Sequence, residues 1–294
     1  ISLVAKSEVL GALRHARSII ATAYVLRPGW MLYALEAAAR RGAAVRVLVE
    51  GSPNREGHGG LARVNARAVA VLKAAGAQAC LTQEAPGSCA VHMKALDCDG
   101  IAYLDDRNFP EGADSIVRDD SRSVDRAIVA AVDGRPEPRT RNFWLHKGAA
   151  TAAEVRMLDA APPGVQAEVA TETFGFSQTY AELLRLAQRG TQCRLMVSVV
   201  TPQCRRALQK LAAAGVQIRI APFNEKMAVV DGKAAWIGSA NATHPYGDCV
   251  DWGLSTRKGS IVRALASRFA QEWIAAVRFL QPAGKPKARA RYGR

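Results

Sequence analysis

The chain has 294 residues, 49% of them hydrophobic and 22% charged. That composition excludes extensive disorder and gives room for one large domain or two ordinary ones. Its 40 Lys and Arg against 26 Asp and Glu leave a formal charge of +14, which favours polyanionic partners: nucleic acid (DNA or RNA) first, an anionic phospholipid surface second.

No apolar run approaches the roughly 20 residues that span a bilayer, so no transmembrane segment is expected within this chain. It begins at Ile1 rather than Met and reads as a trimmed or mature form. A leader or membrane anchor ahead of it stays open, and with it a cytoplasmic, periplasmic, secreted or anchored location. The six cysteines show no C-x-x-C spacing, which argues against zinc while leaving room for one or two disulfides in an oxidising compartment.

Residues 19–26 form an apolar, strand-like run interrupted only by Thr22 and the Tyr24 hydroxyl. A helix follows and stops at Arg41-Gly42, where glycine suits a left-handed C-cap. Residues 44–49 read as a buried strand. The stretch 52–67 is rich in Gly, Asn and Arg and is expected to be a loop over the site. A helix ending at Gly76 and a short strand then lead to His92-Met93-Lys94, four residues, and Asp99. Gly100 opens a further strand that runs into Asp105-Asp106-Arg107-Asn108.

The pattern is then written a second time. Residues 169–190 lie over 21–42 without a gap, again ending in Arg-Gly, with Leu183, Leu186 and Ala187 at helical spacing. A strand over 193–200 and a helix over 207–215 follow. Next come Asn224-Glu225-Lys226, four residues, Asp231, a strand from Gly232, and Gly238-Ser239-Ala240-Asn241. Strands alternating with helices of this length predict an α/β fold, each half a mixed β-sheet flanked by helices. The expected division is a first half over 1–132, a linker and bridging helix over 133–163, a second half over 164–280, and a basic, disordered tail over 281–294.

Two-residue alternation in an extended strand puts His92 and Lys94 on one face. An ammonium beside an imidazole suits a phosphoryl centre: one stabilises oxygens that gain charge, the other attacks or moves protons. Asn108, Ser239 and Asn241 would add neutral donors. Such a site calls for neither metal nor other cofactor, because lysines supply the positive charge.

H-x-K-x4-D followed by G-S-x-N resembles the phospholipase D superfamily, and the resemblance runs through both repeats, from about Leu3 to Leu280. It implies two halves related by a pseudo-twofold axis around one shared active site. It also implies a metal-independent phosphodiesterase that works through a phosphohistidine. His92 would be the nucleophile, with Lys94 and Lys226 as the motif lysines. The general acid would fall at Asn224, whose amide cannot carry the proton. Three explanations of Asn224 stand open: a deliberate replacement of His, a natural member that binds without turnover, or another group that supplies the acid.

Asp114 and Asp251 resemble the family's acidic residues that fix the histidine tautomer, although each can equally be read as a strand-edge carboxylate. Asp99 and Asp231 read as structural, at the turn into the next strand. Of the other histidines, His15 and His146 read as surface or core residues, and His58 and His244 could reach the site mouth. The superfamily acts on phospholipids, DNA and RNA. Arg40, Arg41, Arg55, Arg63, Arg67, Arg118, Arg122 and Arg126 read as a basic rim near the first-half loops, although any one of them can equally belong to an ordinary solvated face. A nuclease of low sequence specificity is therefore the first reading. A lipid-acting phosphodiesterase or phosphatidyltransferase is the second, and a catalytically dead nucleic-acid-binding module the third.

Overall fold

The computed structural model describes residues 1–279 apart from 54–58, 84–89, 111–114, 139, 223–224 and 245–248. Asn224, Asp114, His58, Arg55 and the basic tail therefore lie outside the described residues. The first repeat runs β1 (Ser2–Val4), α1 (Lys6–His15), β2 (Ser18–Ala23), α2 (Trp30–Arg40), β3 (Ala44–Val49), α3 (Gly59–Ala74), β4 (Gln78–Leu81), β5 (Lys94–Cys98), β6 (Ile101–Asp105), β7 (Ile116–Asp119) and α4 (Arg122–Val132). The second runs β8 (Phe143–Leu145), α5 (Lys147–Asp159), β9 (Gln166–Thr173), α6 (Gln178–Gln188), β10 (Gln192–Val199), α7 (Pro202–Ala213), β11 (Gln217–Ile220), β12 (Met227–Val230), β13 (Ala234–Gly238), β14 (Trp252–Thr256), α8 (Gly259–Ala275) and β15 (Val277–Arg278).

The first sheet has seven strands in the order β1-β7-β6-β5-β2-β3-β4. From one edge the second runs β8-β14-β13-β12-β9-β10-β11, strand for strand the same, with β15 added at the end. In both, three strands are parallel and need crossover helices, while the rest are antiparallel. The mixed α/β architecture of two similar halves is thus as the sequence implied. The repeat unit seen in the sheets includes β8 and α5, the segment that the sequence reading put between the halves.

Each half has its own core. Leu35, Val47 and Leu72 belong to one cluster, and Leu183, Leu195 and Leu208 to another. A third cluster is shared: Met93 and Leu104 from the first repeat pack with Met227, Trp252 and Phe269 from the second, α4 and α8 contributing to it. This shared core makes the two sheets back one site.

One expectation changes. Residues 59–67 are helical rather than loop, because α3 starts at Gly59. Asn65, which argued for a loop, is wholly buried and clamps two strand ends: its amide donates to the Tyr24 and Glu50 carbonyls and its oxygen accepts from Leu26 N–H. The first repeat is one residue shorter than the second between its hairpin aspartate and its motif asparagine, Asp99 to Asn108 against Asp231 to Asn241, and the difference falls in the hairpin turns. Cys98 pairs with Ile101 across Asp99-Gly100, whereas Val230 pairs with Ala234 across Asp231, Gly232 and Lys233. Asp99 and Asp231 both have positive φ, 54° and 50°, which aspartate tolerates in tight hairpin turns. The Asp99 carboxylate also accepts from the backbone N–H groups of Arg17 and Ser18 at the start of β2.

Gly238 has a packing reason. A Cβ there would lie 2.4 Å from the Trp252 carbonyl oxygen and 2.7 Å from the Trp236 ring. Overpacking of this kind costs roughly 1–3 kcal/mol. Gly238→Ala should therefore lower the denaturant midpoint with little change in the slope. An unchanged midpoint would show that β13 and β14 can separate freely.

Candidate active site

Ligand sites in α/β sheets tend to lie beyond the carboxyl ends of the parallel strands. Tyr24 stands just past β2 and Glu172 near the end of β9, at matching positions of the repeat. Lys94 opens β5 and Lys226 immediately precedes β12, so both motif lysines enter from the neighbouring antiparallel strands at the same end.

His92 does not sit in β5 as expected. Its segment is held by the other half: the His92 and Met93 N–H groups both donate to the Val250 carbonyl, at 2.9 and 2.7 Å, and Val91 bridges to Val250. The same stretch delivers Asp251, whose Oδ1 lies 2.7 Å from His92 Nδ1. A carboxylate on Nδ1 retains the proton there, so the lone pair of the neutral ring lies on Nε2. Asp251 is in turn fixed by the Ser239 hydroxyl, which donates to Oδ1 at 2.6 Å and accepts from Trp252 N–H. The Tyr24 ring stands edge-on to the imidazole, 4.6 Å between centroids.

Both lysines are buried, at 1% and 2% exposure. Lys94 Nζ donates to the His92 carbonyl at 2.6 Å and lies over the Tyr24 ring. Lys226 Nζ donates to the Asp106 carbonyl at 3.0 Å and pairs with Glu172 Oε2 at 3.4 Å. Burial, then the charge of Lys226, pulls the Lys94 ammonium down to about 7. His92 is lowered by burial and by Lys94, against the opposing pull of Asp251. Burial alone would raise Asp251, but His92, Lys94 and the Ser239 hydroxyl outweigh it and hold the carboxyl at about 2. Glu172 is lowered for the same kind of reason: Lys226, Lys94 and His92 overcome its burial. The arrangement sets an imidazole with its lone pair on Nε2 beside two buried ammonium groups, which suits a bound oxyanion.

The residues singled out by sequence divide as follows. His92, Lys94, Lys226, Ser239 and Asp251 come together. Ser239 spends its proton on Asp251, so the expected donation to phosphate gives way to positioning. Asn108 and Asn241 are repeat counterparts whose side-chain oxygens accept from matching N–H groups, Val25 and Thr173, at 3.2 and 3.3 Å. Asn241 also turns its amide toward Glu172, at 3.5 Å. Asp99 and Asp231 lie in the hairpin turns at the far end of the sheets. His146 pairs with Glu137, and His244 is exposed. The expected arginine rim is largely misplaced: Arg40 and Arg41 precede β3 and Arg122 follows β7, all at the far end. Arg63 and Arg67, two residues either side of Asn65 in α3, remain exposed.

Sequence reading missed Tyr24, Glu172, Asp106 and Lys147. The gapless overlay of 21–42 on 169–190 already set Tyr24 over Glu172 at a strand end, the signal that could have found both. Lys147 is nearly buried, donates to Thr243 Oγ1 at 2.7 Å and is lowered by burial against the attraction of Asp251. Cys249, two residues before Asp251, is disulfide-bonded, its partner lying outside the described residues; Cys80, Cys98, Cys193 and Cys204 are free.

A family model described as cardiolipin synthase, PLD-like domain, matches residues 155–273. Among solved structures, a polyphosphate kinase from Porphyromonas gingivalis is similar with a TM-score of 0.65 at 17% identity, over 91% of this chain and 44% of that one. At that identity the likeness is one of fold, and this chain spans less than half the kinase's length. The phospholipase D family member Nuc from Salmonella typhimurium has a TM-score of 0.43 at 14% identity, over 47% of this chain and 98% of its own. NucT from Helicobacter pylori has a TM-score of 0.41 at 14% identity, over 47% and 97%. A search of curated protein sequences gives no match.

The lysine pair can be tested directly. Heteronuclear NMR of the lysine side chains should find Lys94 titrating near 7. Lys226→Met should move that midpoint upward, because one of the two main depressing influences is removed. A Lys94 midpoint in the ordinary lysine range would mean that the two ammonium groups do not share a site.

Proposed function

The chain belongs to the phospholipase D superfamily, and on that premise we propose that it is a metal-independent phosphodiesterase working through a phosphohistidine on His92, with nucleic acid as its substrate. The observation that carries this reading is the 2.7 Å contact of Asp251 with His92 Nδ1 beside two buried lysines. It prepares Nε2 to attack phosphorus. As the N–P bond forms, Asp251 balances the charge appearing on the imidazole, and Lys94 and Lys226 balance the charge appearing on the phosphoryl oxygens. The P–O bond to the leaving group then breaks, and water later releases the phosphate from His92.

The weak point is the proton. A leaving alkoxide needs one, and Asn224 has none to give. Leaving groups that depart as stable anions should therefore react best, and phosphodiester binding should survive where turnover is slow. Nucleic acid is preferred to lipid because the chain is strongly cationic, with a formal charge of +14, and contacts to phosphate need no base reading. Asn224 itself favours the second reading, a nucleic-acid-binding module that no longer turns over.

Plasmid DNA, RNA and phosphatidylcholine should be incubated in EDTA with the native chain and with Asn224→His. Cleavage of nucleic acid should persist in chelator and rise by about 10² to 10⁴-fold in the variant, the usual worth of positioned acid–base catalysis. A strict requirement for added Mg²⁺, or preferential attack on the lipid, would overturn the reading. DNA affinity should also fall steeply between low and moderate salt, as counterion release requires. A flat salt response would remove the case for phosphate contacts.

The pH dependence has a fixed sign. His92 must be neutral to attack, and its lowered pKa keeps it so below the usual histidine range. Lys94 must be charged, and in the free protein it loses its proton as pH rises through about 7. The profile of kcat/KM should therefore fall on its alkaline side near 7. The limb in kcat should lie higher, because bound phosphate favours the charged lysine. An alkaline limb in kcat/KM near 10 would place the essential cation elsewhere.

A further inference from the structure

Hydrolysis of a phosphohistidine requires a group that takes a proton from water, and an asparagine at 224 cannot do so. Among the described residues, the carboxylates of this end of the sheets divide by their commitments. Asp251 is buried and bound to His92 and Ser239. Asp106 receives the Lys226 backbone N–H, and Asp105 receives the Phe109 N–H. Glu172 is different. Its side chain is 32% exposed, its Oε2 lies 3.4 Å from Lys226 Nζ, and Asn241 approaches the same oxygen at 3.5 Å. It feels the charges of His92, Lys94 and Lys226 together, so it lies among the motif residues while remaining open to water.

Its place in the repeat adds a second, independent point. Glu172 is the counterpart of Tyr24, the residue whose ring packs edge-on against His92. The two halves thus differ at two matched positions: histidine with tyrosine in the first, asparagine with glutamate in the second. The imidazole missing at one position is accompanied by a carboxylate at the other.

We propose that Glu172 is the proton-transfer residue of the dephosphorylation step, taking the proton of the water that hydrolyses phosphorylated His92. The inference rests on the phosphohistidine reading above. In the step, the water oxygen bonds to phosphorus while one of its protons passes to the Glu172 carboxylate. The P–Nε2 bond breaks and its electron pair returns to the imidazole, which keeps its Nδ1 proton on Asp251. Glu172 then releases its proton to solvent through its exposed edge.

In the resting protein two ammonium groups suppress the basicity of Glu172. A phosphoryl group lodged on the lysines neutralises them and brings its own negative charge beside the carboxylate, and both effects raise the proton affinity of Glu172. The base is therefore weak while the site is empty and strengthens once phosphate is in place. Hydrolysis of the intermediate should show this as an acid limb in its pH profile.

The test follows both steps on a 4-nitrophenyl phosphodiester, whose nitrophenolate leaves without a proton. Rapid-quench measurement gives the nitrophenolate burst, and intact-mass or acid-labile phosphate measurement gives formation and decay of the phosphoenzyme. In Glu172→Gln decay should slow relative to the burst by about 10²-fold or more and lose its acid limb. In Glu172→Ala, added formate should restore part of the decay rate, which a merely structural carboxylate would not allow. Equal decay in the native chain and in Glu172→Gln would overturn the role of Glu172 and leave the phosphohistidine reading intact. Faster burst and faster decay together would overturn it too, showing a carboxylate that only blocks the phosphate position. Absence of any phosphoenzyme in the native chain, with none in a His92→Ala control, would overturn the reading and this inference with it. The burst itself reports that each variant is folded.

Discussion

Asp251 meets His92 at 2.7 Å across the boundary between the two repeats, and much of the molecule serves to keep that contact. The strand-like pairing of Val91 with Val250, the Ser239 hydroxyl and the Trp252 backbone hold the carboxylate from one side. The shared core of Met93, Leu104, Met227 and Trp252 holds the two sheets against each other from behind. A carboxylate buried without such partners would sooner take up a proton than stay charged. Here it stays ionised, held at about 2 by the groups it orients.

The same burial makes the lysines useful. Taking an ammonium out of water is costly unless it finds partners. Lys94 has a carbonyl and an aromatic face; Lys226 has a carbonyl and one partly exposed carboxylate. Beside Lys226, Glu225 pairs with Arg268 and Arg107.

Much of this was legible in the sequence because duplication writes each signal twice. The gapless overlay of the two strand-helix units, the paired H/N-x-K-x4-D segments and the Asp-Gly turns all correspond to matching elements of the two sheets. Other features were hidden for identifiable reasons. Asn65 carries loop chemistry in its side chain, yet sits inside a helix because three backbone groups at strand ends need exactly such a partner. Arginines that cluster in sequence near β3 and β7 scatter to the far end of the sheet, since sequence proximity to a strand does not say which end of it is near. The serine of G-S-A-N looked like a donor to ligand. Its partner, Asp251, arrives from twelve residues further on through a segment whose course no local pattern reveals.

The division of His92 and Asp251 between two repeats also orders events during synthesis. A ribosome releases the first repeat, His92 included, well before residue 251 is made. Until then the imidazole has no carboxylate to set its tautomer and no second lysine beside it, and the shared core that would seat it is half missing. A nascent chain, or a fragment cut between the repeats, therefore lacks the assembled site. The constellation is complete only when the last sheet closes.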